Sequence, residues 1–115
     1  MQDCIFCKIA QGQIPSNKVY EDEAVLAFYD ISPQAEKHVL VIPKAHYADL
    51  DAAEGGMDDA ALAHLFRTAA RVARELGLHQ TGYRLAGNCG PHACQTVQHL
   101  HLHILGGSQL SGRMG

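Results

Sequence analysis

Near its C-terminal end the chain reads Gln98-His99-Leu100-His101-Leu102-His103-Ile104-Leu105, with three histidines alternating with three aliphatic residues. A period of two is that of a β-strand, whose successive side chains leave opposite faces of the backbone. On a strand, His99, His101 and His103 share one face and Leu100, Leu102 and Ile104 share the other; on a helix the same spacing would scatter the imidazoles around the axis. Imidazole is the side chain best suited to nucleophilic, acid–base or metal chemistry near neutral pH. Three readings follow. The strand has a polar face on which histidine merely recurs, or several imidazoles bind one zinc ion, or a histidine nucleophile is flanked by histidines that bind an anion. In the last case an imidazole attacks phosphorus and leaves again, while its neighbours stabilise the charge. Spacing alone does not choose between the last two.

The 115 residues fit one domain, residues 1–115, and 47% hydrophobic residues are enough for one modest core. A formal net charge of −3 gives no general attraction to nucleic acid or to a membrane surface. No apolar run approaches the roughly 18 residues of a transmembrane helix. The start, Met1-Gln2-Asp3-Cys4, lacks the basic and apolar regions of a secretory leader. A reducing cytoplasm is therefore the expected location, with the four cysteines as thiols or metal ligands rather than two disulfides.

The punctuation predicts a short helix over residues 4–10, ended by Gly12 and the Ile14-Pro15 step. Lys18–Glu21 and Ala24–Tyr29 read as strands around an Asp22-Glu23 turn, and His38–Pro43 as a buried strand closed by proline. Residues 57–76 read as the one long helix, its apolar stripe formed by Leu62, Leu65, Phe66, Ala69, Val72, Ala73 and Leu76, with Gly77 as a left-handed cap. Tyr83–Ala86 reads as a short strand and Val97–Leu105 as the histidine strand. The order argues for an α+β fold with a five-stranded, mainly antiparallel sheet, one long helix and one short one.

Glycines flank the histidine strand at Gly87, Gly90, Gly106 and Gly107, and Asn88, Gln95 and Thr96 offer polar groups beside it. Glycine lets backbone approach a phosphate closely, and hydroxyl and amide groups can donate to it. Separately, Cys4-Ile5-Phe6-Cys7 has the spacing of half a zinc knuckle, which two histidines would complete. The plainer alternative is two reduced thiols in a short helix. A thioredoxin-like redox role would need a strand before Cys4, and only three residues precede it. Cys89, His92 and Cys94 form a small loop cluster, read first as loop thiols.

The segment from Gln95 to Gly107 resembles the signature of the histidine triad family, His-φ-His-φ-His-φ-φ with φ apolar. Asp3–Ile9, Ile14-Pro15, Ala27–Ala35 (with Asp30-Ile31-Ser32-Pro33-Gln34-Ala35) and His38–Lys44 resemble its nucleoside-binding Hint branch. The similarity runs in order from about residue 3 to residue 110.

The resemblance implies a purine nucleoside phosphoramidase, acting on adenosine 5′-phosphoramidates and aminoacyl-adenylate-like compounds to give AMP. His101 matches the nucleophile and His103 a histidine that contacts the phosphate. Asn88 and Thr96 match phosphate-binding positions, as does the backbone at Cys94. Asp30 matches the carboxylate that takes the ribose hydroxyls, and Phe6, Ile9, Phe28 and Ile31 the apolar slot around the base; those four have ordinary core as their plainer reading. Some bacterial relatives complete the zinc knuckle with a histidine after the buried strand and the first triad histidine, which here gives Cys4, Cys7, His46 and His99 around a structural ion. His38 matches a histidine near the site. A homodimer through the long helix and an edge strand, with a continuous ten-stranded sheet, is also implied.

Four positions depart from the branch: Thr96 stands for a serine, Cys94 for a glycine and Gln98 for an aromatic, and the tail from Ser111 lacks a tryptophan. The rival readings are a dinucleotide polyphosphate hydrolase of the same family, a nucleotide- or partner-binding module, and a metal-dependent hydrolase using the triad as ligand.

Overall fold

Two apolar strands set the architecture of this computed structural model, which describes residues 3–114. β2 (Val25–Tyr29) and β3 (Lys37–Pro43) pair antiparallel, and nearly every residue on them is buried. Because side chains alternate, such a run must be covered on both faces. One face (Val25, Ala27, Val39, Val41) lies under the long helix, and the other (Leu26, Phe28, Leu40, Ile42) packs with the short N-terminal helix. Each large aliphatic side chain so buried contributes roughly 1.5–3 kcal/mol.

The full element order is α1 (Ile5–Ala10), β1 (Lys18–Glu21), β2, β3, α2 (Leu50–Gly56), α3 (Asp59–Glu75), β4 (Tyr83–Gly87), a 3-10 turn at Pro91–Ala93, and β5 (Leu102–Gly106). The sheet runs β1-β2-β3-β5-β4 and every pairing is antiparallel. This is the expected α+β class and strand count. Met1, Gln2 and Gly115 lie outside the described residues, and with them the first residues of the segment read as lacking a secretory leader and the last of the tail. Among the described residues no helix is long and apolar enough to cross a membrane.

One helix is added to the expected set. α2 begins where the Asp49 side chain accepts from Ala52 N–H, and Met57 is extended before Asp58 restarts the chain by accepting from Ala61 N–H. The long helix buries Leu65, Ala69, Val72 and Ala73 as predicted, together with Thr68, while Phe66 stays exposed. Its end is the predicted left-handed cap. Gly77 has φ +78, its N–H donates to the Arg74 carbonyl at 3.0 Å, and Leu78 N–H donates to the Ala73 carbonyl at 2.9 Å. These two bonds are those of a Schellman motif, and they satisfy carbonyls the helix leaves open.

The histidine strand is shorter than predicted. The ladder begins at Leu102, so His103 alone of the three histidines lies within β5, and His99 sits in a bend. The reason is where the backbone bonds go: Leu100 N–H donates to the Tyr47 carbonyl at 2.6 Å rather than to a neighbouring strand. The alternation survives nonetheless. Leu100, Leu102 and Ile104 enter the core under α3, and the histidines face the other way.

Candidate functional site

The candidate site side chains collect on the face of the sheet opposite α3, in two clusters joined by His101. In the first, Cys4 caps α1 by accepting from Cys7 N–H, which places both sulfurs at the helix start. His99 Nε2 lies 2.8 Å from the Pro43 carbonyl. A carbonyl only accepts, so Nε2 carries the proton and His99 Nδ1 is a bare lone pair. That lone pair lies 3.2 Å from His46 Nδ1, 3.3 Å from Cys4 Sγ and 3.5 Å from Cys7 Sγ, and Cys7 Sγ is 3.3 Å from His46 Nδ1. All four donor atoms lie within 4.8 Å of one another.

Zinc in tetrahedral coordination, at about 2.3 Å from sulfur and 2.0–2.1 Å from nitrogen, holds its ligands roughly 3.3–3.8 Å apart. The measured gaps match those edges, and the Cys₂His₂ donor set is zinc's own. The Pro43 bond is the outer partner that metal-bound imidazoles ordinarily have. Burial, helped by the neighbouring Cys4, raises the Cys7 thiol to about 11. A cation among the four reverses that preference, because a coordinated thiol is deprotonated. The expected ligands Cys4, Cys7, His46 and His99 are thus brought together. The ligand atoms of Cys89, His92 and Cys94 are not; both thiols are exposed and unbridged.

The second cluster is an ordered chain of hydrogen bonds. Gln34 N–H donates to His38 Nδ1 at 3.0 Å, so the proton of neutral His38 is on Nε2. His38 Nε2–H in turn donates to His103 Nδ1 at 2.9 Å, with Asp30 Oδ2 farther off at 3.6 Å. His103 is left with its proton on Nε2. Burial holds His38 below the usual imidazole range. Burial, then the nearby His101 and His38, pushes His103 down to about 4. Both rings are therefore neutral at pH 7.

His101 has the opposite polarity. Its Nδ1 lies 2.7 Å from the His99 carbonyl, so Nδ1 holds the proton and neutral His101 presents an unprotonated Nε2. Its ring is packed edge-on against Phe6, with centroids 5.2 Å apart, and stands 5.0 Å from the ring of His103. The two histidines thus present complementary groups, a lone pair and an N–H donor. This is what attack at phosphorus and binding of its oxygens require.

Both open into a cleft of about 680 Å³, lined also by Phe6, Ile9, Phe28, Asp30, Ile31, Asn88, Cys94 and Thr96. Every residue expected to contact a nucleotide therefore lines one cavity. Phe6 and Phe28 meet edge to face at 5.5 Å, and with Ile9 they are core and slot wall at once. Ile31 is 97% exposed, which places it on the lip. Asp30 Oδ1 accepts from Ser32 N–H at 2.7 Å, which fixes the carboxylate at the rim. Asn88 donates to the Ala93 carbonyl at 2.8 Å. Cys94 has φ 62, the one non-glycine in the left-handed region among the described residues, and its backbone turns the loop into the cleft.

Sequence reasoning treated Gln95 only as a flanking residue. It is buried, accepts from Gly90 N–H, and donates to the Ala48 and Val97 carbonyls, which ties the loop before the triad to the body of the fold. Only its adjacency to the triad hinted at this. His64 Nε2 lies 2.7 Å from Asp22 Oδ2 and ties α3 to the β1–β2 turn.

Comparison with known proteins agrees with this geometry. A family model described as the HIT domain matches residues 11–110. A 13.2 kDa HIT-like protein of Azospirillum brasilense is 47% identical over 106 residues, covering 92% of this chain and 87% of that protein. A 14 kDa zinc-binding protein of Zea mays is 48% identical over 109 residues, covering 93% and 84%. Among solved structures, a HIT family hydrolase from Legionella pneumophila superposes with a TM-score of 0.93 at 45% identity, covering 98% of this chain and 100% of that one. A histidine triad protein from Clostridium difficile gives 0.90 at 46% identity, covering 98% and 97%.

Proposed function

Because the chain belongs to the histidine triad (HIT) family, we propose that it is a hydrolase of purine nucleoside 5′-phosphoramidates that works through a nucleotidyl-histidine on His101. The observation that carries this reading is the opposite tautomers of His101 and His103 in the wall of one nucleoside-sized cleft.

In this reading Phe6, Ile9, Phe28 and Ile31 hold the base, and Asp30 accepts from the ribose hydroxyls. His103 Nε2–H donates to a phosphoryl oxygen, aided by Asn88, Thr96 and the backbone at Cys94. His101 Nε2 attacks phosphorus, the P–N bond breaks, and the amine leaves with the electron pair and takes up a proton. Water then attacks the phosphorylated imidazole, AMP departs, and the lone pair returns to His101 Nε2. Neutral imidazole is needed for attack, so protonation of His101 stops the reaction.

Cys4, Cys7, His46 and His99 would hold zinc, whose contribution when bound is to fix α1 and His99 in place. The His99 carbonyl then holds the nucleophile by its Nδ1–H. The surface fits a homodimer: β4 is an edge strand, and Leu50, Phe66 and Leu85 are exposed on the α3 side beside it. Pairing along β4 would make ten continuous strands, and sedimentation at micromolar concentration reads it directly, with a monomer ending the idea. Four unbridged thiols fit a reducing cytoplasm.

The test is turnover of a fluorogenic adenosine 5′-phosphoramidate by wild type and His101→Ala, each with and without chelator. Turnover in wild type alone, surviving brief chelation, supports the proposal. Immediate loss with chelator in a still-folded protein would make this a metal-dependent hydrolase. Turnover of dinucleotide polyphosphates alone would favour the rival family activity, and none at all a binding module.

A further inference from the structure

Beyond His103 the cleft continues into a second chamber of about 570 Å³ on the same face of the sheet. Gln34, His38, Asn88 and His103 line both spaces, so the two meet at the phosphoryl-binding histidine. The chamber's outer wall is the segment Ser108–Ser111, and its floor is β4 and β5, with Arg84 paired across from Leu105. His101 is not among its lining residues.

In-line displacement at phosphorus puts the leaving group opposite the nucleophile. A leaving group pointing away from His101 and past His103 enters this chamber. Arg84 is the cation that lines it. The residue is half-buried, and its one protein partner among the described residues is the Ser111 carbonyl at 2.7 Å. No carboxylate among the described residues lies within ion-pair distance of it. A guanidinium has five N–H donors in a fork that matches a carboxylate, so most of its donors remain for a ligand.

We propose that this chamber is the leaving-group subsite, and that Arg84 selects leaving amines bearing a carboxylate, as in an amino acid joined to phosphorus through its nitrogen. The same charge disfavours a mixed anhydride of an amino acid, whose free end is an ammonium group. This inference rests on the phosphoramidase reading and narrows its substrate class. The bond broken is the P–N bond, and the departing nitrogen takes up the proton that makes it a free amino acid.

The experiment compares two adenosine 5′-phosphoramidates that differ at one group, alanine with a free carboxylate and alanine methyl ester, on wild type, Arg84→Met and Arg84→Lys. Wild type is expected to favour the acid in kcat/KM by about fivefold, the size of a partly exposed ion pair. Arg84→Met should lose that ratio while still hydrolysing the ester, and Arg84→Lys should keep most of it. Because each ratio is internal to one variant, loosening of the Ser108–Ser111 segment does not imitate the result. Equal turnover of acid and ester by wild type, or a ratio unchanged in Arg84→Met, overturns the subsite assignment and leaves the phosphoramidase reading standing. Failure of wild type to hydrolyse either compound overturns both.

Discussion

Two pairs of histidines touch on this face of the sheet, and they are built to opposite rules. His46 and His99 meet Nδ1 to Nδ1 at 3.2 Å, and His38 and His103 meet Nε2 to Nδ1 at 2.9 Å. What separates them is the backbone partner outside each pair. At His99 that partner is a carbonyl, which draws the proton away and leaves a lone pair facing another ring nitrogen and two sulfurs. At His38 it is an N–H, which pushes the proton inward and lets donor follow acceptor down the chain. The first arrangement gathers donor atoms for a cation, while the second is complete with protons alone. A histidine's neighbours in sequence say little about this; the group on its far nitrogen decides it.

The comparison breaks most visibly at the cation cluster. Cys7→Ser should abolish tight zinc binding and cost about 4 kcal/mol of stability when free zinc is a thousandfold above its Kd. Denaturant unfolding with and without zinc measures this, and an unfolding midpoint indifferent to zinc in wild type would sink the cluster's assignment. At the proton-ordered pair, His38→Asn should leave zinc content unchanged. It should lower kcat by about ten- to a hundredfold, the worth of one buried orienting hydrogen bond. Full activity in that variant would mean that His103 needs no help to present Nε2–H.

The smallest effect concerns pH. Folded His103 takes a proton only near 4, against 6.5 for the ordinary side chain. His38 is shifted the same way. Between those pH values the unfolded chain binds more protons than the folded one, so stability rises with pH and falls on acidification from about 6.5 toward 4. Thermal unfolding across this window, in the Cys7→Ser background to remove metal effects, should show that slope, and His103→Gln should flatten it. A slope untouched by His103→Gln would contradict the neutral pair.

The strands and the Gly77 cap were legible because each rests on local chemistry: alternation, a closing proline, a left-handed glycine. Asp49 and Asp58 mark the starts of α2 and α3 as N-caps, a signal weaker in the sequence than the apolar stripe of α3. The candidate site residues were picked out through the triad and its resemblance, and the fold gathers all of them into one cavity or one cluster. The length of the histidine strand was not legible, because alternation fixes faces and not ladders. Leu100 N–H binds Tyr47, which lies 53 positions away (100 − 47) in a segment with no strand signal. Nor could spacing reveal which nitrogen of each imidazole holds its proton, since that depends on the Pro43 and His99 carbonyls and the Gln34 N–H.

The contact between Cys4 and His99 spans 95 positions of a 115-residue chain. α1 carries two sulfurs and the Phe6 wall of the cleft; it packs on β2 and β3, but its contacts with His99 and His101 wait until the triad follows. Closing so long a loop is slow, and it waits on the sheet that brings its ends together. The Cys4–Cys7–His46–His99 cluster and the cleft are therefore completed only by the triad, so that a chain truncated ahead of it can form neither.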